Sequence, residues 1–267
     1  MIKNAIRRVY HLFSERRRST WVPDTVYPDD TFIVSYPKSG NTWVRFLLAN
    51  ALYPNTDVDF HTIHELIPEA GEEDMRLELS GPRLMKSHAP CEPAYPSVIY
   101  LVRDGRDVYT SYYHYRKSEL PDGTSFEEFL ARDDHWPTLW STHVRGWMEA
   151  AETSSDILVV RYEDLQTDAS YELRRMLDFV GKTSVSDEII RDAVDASSFR
   201  NMRRVEEEKG RRYQDQNARD SDETQKFVRK GQSGTWQKHF TPRAKHLFKV
   251  REGEVLVHLG YEDDLSW

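Results

Sequence analysis

The sequence predicts an α/β protein with a central parallel β-sheet flanked by helices in a doubly wound layout. Three observations carry this. Segments such as "TFIVS" at 31–35 and "SVIYLV" at 97–102 are apolar along nearly their whole length, where a strand wet on one face would alternate. Longer stretches of helical spacing separate them, the pattern of strand–helix–strand units. The first strand runs into "YPKSG", a glycine-bearing turn that opens a helix, and such turns hold anions.

Taken in order, "TFIVS" leads to a helix from Thr42 to about Tyr53. "RLMKS" at 83–87 is the second strand, and "SVIYLV" the third, with a helix over about 106–117. "SFEEFLARDD" and "HWPTLWSTHVRGWMEAAE" read as helices, with Trp140 and Trp147 seven residues apart on one face, as core packing requires. "DILVVRY" at 156–162 is the fourth strand, followed by a helix over about 168–180. A last helix follows Pro242 and turns at Gly260. The charged run at 200–226 shows almost no apolar periodicity and reads as a mobile lid loop, since structureless stretches of that length are usually functional.

At 267 residues the chain suits one domain with a sizeable core. Hydrophobic residues at 38% and charged ones at 31% describe a globular protein, and no apolar run nears the length of a membrane helix. The lone cysteine, Cys91, leaves no internal disulfide, and the first 20 residues lack the apolar centre of a signal peptide; a cytoplasmic setting is expected. Net charge is −8, of which residues 1–20 carry +5 and the rest −13, so nucleic acid is not an expected partner. Ile2, Ile6, Val9, Tyr10 and Phe13 give that basic segment a helical apolar face. Packing on the domain and peripheral contact with an anionic membrane both fit it.

Three segments read as anion sites. In "SYPKSGNTW" the lysine, Lys38, precedes Gly40, and there is no second glycine, unlike the triphosphate loop whose lysine follows it. A shorter turn suits one phosphate and its neighbour. In "YLVRDGRDVYTSYYHY" Arg103 and Arg106 stand at the carboxyl edge of the sheet, where ligands bind in this architecture, with Ser111 about two turns into the next helix. "RKGQSGTWQKHFT" offers Arg229, Lys230 and the backbone of Gly231. Each alone is an ordinary surface cluster; together they suit a ligand with phosphates at both ends.

The ordered set resembles the cytosolic sulfotransferase family, enzymes that move a sulfonate from 3′-phosphoadenosine 5′-phosphosulfate (PAPS) to a hydroxyl or amine. "YPKSGNTW" is similar to its 5′-phosphosulfate loop, "RDGRDVYTSYYH" to its 3′-phosphate motif and "RKGQSGTWQKHFT" to its RKGxxGxWxxHFT signature, with "KSHAP" at 86–90, "RYEDL" at 161–165 and "SSF" at 197–199 between them. The resemblance spans roughly residues 31–241 and implies a P-loop-like fold. It implies that Lys38, Ser39, Gly40, Asn41 and Thr42 wrap the 5′-phosphosulfate. Arg103, Ser111, Arg229, Lys230 and Gly231 would take the 3′-phosphate, and Trp43, Tyr162, Ser197 and Phe199 would surround adenine. His88 matches the general base, and Lys86 lies on the same side of the chain, within reach of the transferring group. The cofactor would be PAPS, with PAP (3′-phosphoadenosine 5′-phosphate) as product and no metal required.

The chain departs from the family in places. Asn41 stands where threonine is common, and "RDGRD" replaces the eukaryotic "RNPKD", as in a prokaryotic member. The eukaryotic dimer motif would fall on 237–246, where Thr241 survives but Gln237, Pro242 and His246 do not match. The acceptor, an alcohol or amine, is expected to meet segments 53–82 and 112–150 and the charged 200–226 lid, where aromatics such as Tyr112, Tyr113 and Trp136 suit an apolar or ring-bearing alcohol and the many charges also permit a saccharide. Two other readings stand: a P-loop kinase with Asp104 on magnesium, which lacks its lysine position, and a PAP-binding module without catalysis, against which the retention of both Lys38 and His88 argues.

Overall fold

The computed structural model of the protein describes residues 21–23, 25–71, 82–210, 231 and 233–267. Strands β1 (Thr31–Ser35), β2 (Leu84–Ser87), β3 (Ser97–Val102) and β4 (Ile157–Arg161) form a parallel sheet in the order β2-β1-β3-β4. Phe32 lies level with Met85 on one side and Val98 on the other.

Both faces of the sheet are covered, which is why β1 reads as apolar throughout. Phe32, Val34, Tyr100 and Val102 face one core with Trp140, Trp147 and Phe248. Ile33, Ile99 and Leu101 face the other, with Val44, Leu47 and Leu48 of helix α1 (Asn41–Leu52). β4 closes one edge and is correspondingly less buried.

The remaining helices are α2 (Ile63–Leu66), α3 (Gly105–Arg116), α4 (Phe126–Leu130), α5 (Trp140–Thr153), α6 (Tyr162–Thr167), α7 (Ala169–Phe179), α8 (Asp187–Ala196), α9 (Phe199–Lys209) and α10 (Pro242–His258). Trp140 and Trp147 are both fully buried, so the pair is core. Local chemistry sets the ends. Ser125 and Glu128 form a reciprocal cap on α4. Thr241 caps α10 by accepting from Ala244 N at 3.1 Å, with Pro242 in its first turn.

One expectation is corrected. Residues 200–209 of the proposed lid are not loop but the body of α9, capped by Ser198. Phe199, Met202 and Val205 pack on the core at helical spacing, while the pairs Arg203–Glu207 and Arg204–Glu208 line the outer face. Charge density hid a narrow apolar stripe. Residues 211–226, like the basic segment 1–20, lie outside the described residues. Among the described residues no helix is long and apolar enough to cross a membrane.

The chain crosses from β1 to β2 on one side and returns to β3 on the other. The loops that follow β1 and β3 therefore sit side by side at the carboxyl edge, the switch point where such sheets bind ligands.

Candidate active site

At that edge lies a cavity of about 470 Å³. The loop after β1 forms its floor. Lys38 has φ 70 and Gly40 φ 103, so the turn holds a non-glycine residue in the left-handed region, a cost that persists only where surroundings impose it. Gly40 occupies the N-cap of α1 without a side-chain cap, so the first amides of that helix face the cavity end. The hydroxyl of Ser39 is buried and has no partner among the described residues.

Asn41 does something the motif alone does not tell. Its side-chain amide donates to Ile33 O at 2.9 Å and to Ser35 Oγ at 3.2 Å. That amide ties the loop to β1, and only the main-chain N–H of Asn41 is left to meet an anion. Thr42 and Trp43 line the cavity.

Arg103, the first residue after β3, donates to Lys38 O at 3.2 Å and lies 4.1 Å over the Tyr162 ring. Trp43 meets the same ring edge-on at 5.5 Å. Phe199, Met202 and Gly231 continue this wall, and Ser111 lines it from α3. Gly231 has φ +57, and a Cβ there would fall 2.3 Å from the Phe199 ring. Ser197 does not join them: it is buried behind Phe199, and its hydroxyl accepts from Asn50 at 3.1 Å. Arg229 and Lys230 lie outside the described residues.

His88, which also lines the cavity, follows β2. Its Nδ1 is 2.7 Å from Ser35 O; a carbonyl only accepts, so Nδ1 carries the proton and Nε2 keeps its lone pair. Burial, then the positive charge of Lys86, hold the His88 pKa well below the ordinary histidine value. Lys86 pairs with Glu69 at 2.8 Å.

Asp104 is committed elsewhere. It caps α3 by accepting from Arg106 N at 2.9 Å, and both its oxygens are taken by the Arg106 guanidinium. That engagement leaves Asp104 unavailable as the magnesium ligand of the kinase alternative.

Sequence reasoning overlooked Asp107, whose only signal was its place in "RDGRD". Its buried carboxylate accepts from Gly234 N at 2.6 Å, Trp236 N at 2.9 Å and Thr235 Oγ1 at 3.0 Å. A negative charge on the wall of an anion site is unfavourable; three donors from the segment after Gly231 offset it. Asp107→Asn should therefore cost about 2–3 kcal/mol of stability, read by denaturant unfolding, and speed proteolytic cleavage near Gly234. An unchanged midpoint would show that the segment is held by other contacts.

A parallel sheet with a phosphate-type loop at its switch point, two aromatic walls and a neutral imidazole defines a P-loop-like protein built for an anionic nucleotide. Comparison with known proteins narrows the class. Residues 28–255 match the Sulfotransferase domain family. Sulfotransferase 1C2 of Rattus norvegicus is 32% identical over 263 residues, covering 88% of this chain and 87% of its own. Sulfotransferase 1E1 of Bos taurus is 30% identical, covering 84% and 82%. Retinol dehydratase in complex with retinol and PAP superposes with a TM-score of 0.68 at 19% identity, covering 87% of this chain and 82% of its own. Mouse sulfotransferase SULT7A1 complexed with PAP gives 0.61 at 24%, covering 88% and 90%. The chain belongs to the PAPS-dependent sulfotransferase family.

Proposed function

We propose that the cavity binds PAPS and directs its sulfonate onto the hydroxyl or amine of an acceptor, with His88 as general base. The observation that carries this is the Nδ1 contact of His88 with Ser35 O, which leaves Nε2 as a lone-pair acceptor in a cavity that Lys38 also lines.

The residues fit the cofactor. The uncapped amides of α1, the buried Ser39 hydroxyl and the close approach that only Gly40 permits suit the 5′-phosphosulfate. Lys38 adds a positive charge there. Arg103, Ser111 and Gly231 suit the 3′-phosphate, together with Arg229 and Lys230; Trp43, Tyr162 and Phe199 suit adenine, with Ser197 supporting from behind. Bound PAPS supplies an activated sulfonate on a good leaving group.

With PAPS bound, His88 Nε2 would take the proton of the acceptor hydroxyl or amine while the acceptor oxygen or nitrogen bonds sulfur and the 5′-phosphate oxygen leaves with its bonding electrons. The products are a sulfated acceptor and PAP. Lys38 and the helix-end amides stabilise charge on the departing oxygen without reorganising, and Lys86 reaches the transferred group from β2. No metal enters this account, since fixed donors meet the charge, and the single free Cys91 suits a cytoplasmic setting.

Arg103→Ala should weaken PAP binding by about 1.5–3 kcal/mol, the scale of a hydrogen bond to a charged group. Calorimetry checks it, and an unchanged Kd would remove Arg103 from the phosphate site.

A further inference from the structure

The cavity wall beside His88 carries Glu69, Lys86, Arg116 and Glu119 among the aromatic rings of Tyr112, Tyr115 and Trp136, and Tyr115 lies 4.3 Å beneath the Lys38 ammonium. Glu69 is bridged to the edge of β2 at Lys86, with Ala70 N donating to Lys86 O and Lys86 N to Pro68 O. The backbone thus fixes the Glu69–Lys86 ion pair, whose two side chains stay 26% and 16% exposed. Arg116 pairs with Glu119 at 2.5 Å and donates to the Tyr112 hydroxyl at 3.3 Å. That hydroxyl in turn donates to Trp136 O at 3.1 Å. Trp136 stands 5.7 Å from the His88 ring and is 44% exposed.

An apolar alcohol seated here would strip water from both ion pairs and return no hydrogen bonds, a cost that selects against it. A ligand with several hydroxyls replaces that water: each hydroxyl donates to a carboxylate or accepts from a cation. Trp21 packs on the Trp136 indole at 5.2 Å, and the part of the indole that stays exposed offers a flat surface for the C–H face of a sugar ring. A site built to hydrogen-bond hydroxyls also rejects analogues that lack them more strongly than an apolar pocket rejects an added one.

We propose that the acceptor is a polyhydroxylated molecule of the glycoside class, and that Glu69 and Arg116 are its specificity-determining contacts, with Trp136 as the stacking surface. The inference rests on the sulfonate-transfer reading of the same cavity.

The test compares kcat/KM at saturating PAPS for phenyl β-D-glucopyranoside and for 3-phenylpropan-1-ol, in the wild type and in Glu69→Leu. The glucoside is expected to be used at least tenfold better, and Glu69→Leu to move the ratio at least tenfold toward the alcohol with PAP affinity kept. Glu119, more than half exposed, provides a second variant, Glu119→Leu, that does not burden folding and should move the ratio the same way. A preference for the alcohol, a ratio untouched by both substitutions, or no sulfated glucoside would overturn the proposal. A wild type that binds no PAP would instead sink the reading of the cavity itself.

Discussion

His88→Ala should lower turnover by about 10²–10⁴-fold, the usual contribution of a placed general base, while PAP affinity stays within a few-fold of wild type. The split is the diagnostic result. His88 bonds Ser35 O through Nδ1 and is not itself one of the proposed anion contacts, so its loss removes the proton acceptor and leaves those contacts in place. The pH dependence gives a second handle. A general base works deprotonated, and burial together with Lys86 hold the His88 pKa well below the usual value. Activity should therefore persist through about pH 6.5, where an unperturbed histidine is half protonated, and decline only at lower pH. After burial, Lys86 disfavours the imidazolium most, with His143 and Arg45 adding to it, while the bond to Ser35 O favours it without reversing the shift. Removing the charge in Lys86→Met should move the acid limb of kcat/KM to higher pH. Full turnover in His88→Ala with the native acceptor would exclude it as the base.

Much of this site was readable because the motif residues fix local backbone geometry. "TFIVS", "YPKSG" and the helix after it are short-range features, and the structure places them within a residue or two of expectation. Arg103 and Tyr162 came from segments far apart in the chain, and their contact follows from β3 and β4 being neighbours. What the sequence hid depends on tertiary placement. Asn41 resembles a ligand residue, yet its amide faces β1, because Ile33 O and Ser35 Oγ lie beneath it. Ser197 follows the family pattern but is turned away from the cavity by the end of α8. Glu69 meets Lys86 only through a bridge at the sheet edge, which no periodicity announces. α9 was missed because charged pairs diluted the apolar positions Met202 and Val205 below the level at which a stripe is visible.

Gly40→Ala should weaken cofactor binding about a hundredfold although it adds one methyl group. The residue has φ +103, a conformation that costs a residue with a side chain about 1–2 kcal/mol. Its Cβ would also fall 2.6 Å from the Tyr162 ring, so the ring must move. Tyr162 carries the Arg103 guanidinium on one face and meets Trp43 edge-on; displacing it disturbs both proposed phosphate sites and the adenine wall together. The alternative response, a shift of the loop, withdraws Lys38 and the α1 amides from the sulfonate. Either way PAP affinity should fall about a hundredfold, equivalent to about 2.7 kcal/mol. The unliganded protein should lose stability too, by about the 1–2 kcal/mol of backbone strain, which is less than the loss in binding. Isothermal calorimetry paired with thermal unfolding separates the two effects. If PAP bound Gly40→Ala as tightly as wild type, the turn after β1 would not be the phosphosulfate cradle, whereas equal losses in affinity and in stability of the free protein would mean that Gly40 serves the fold and not the ligand.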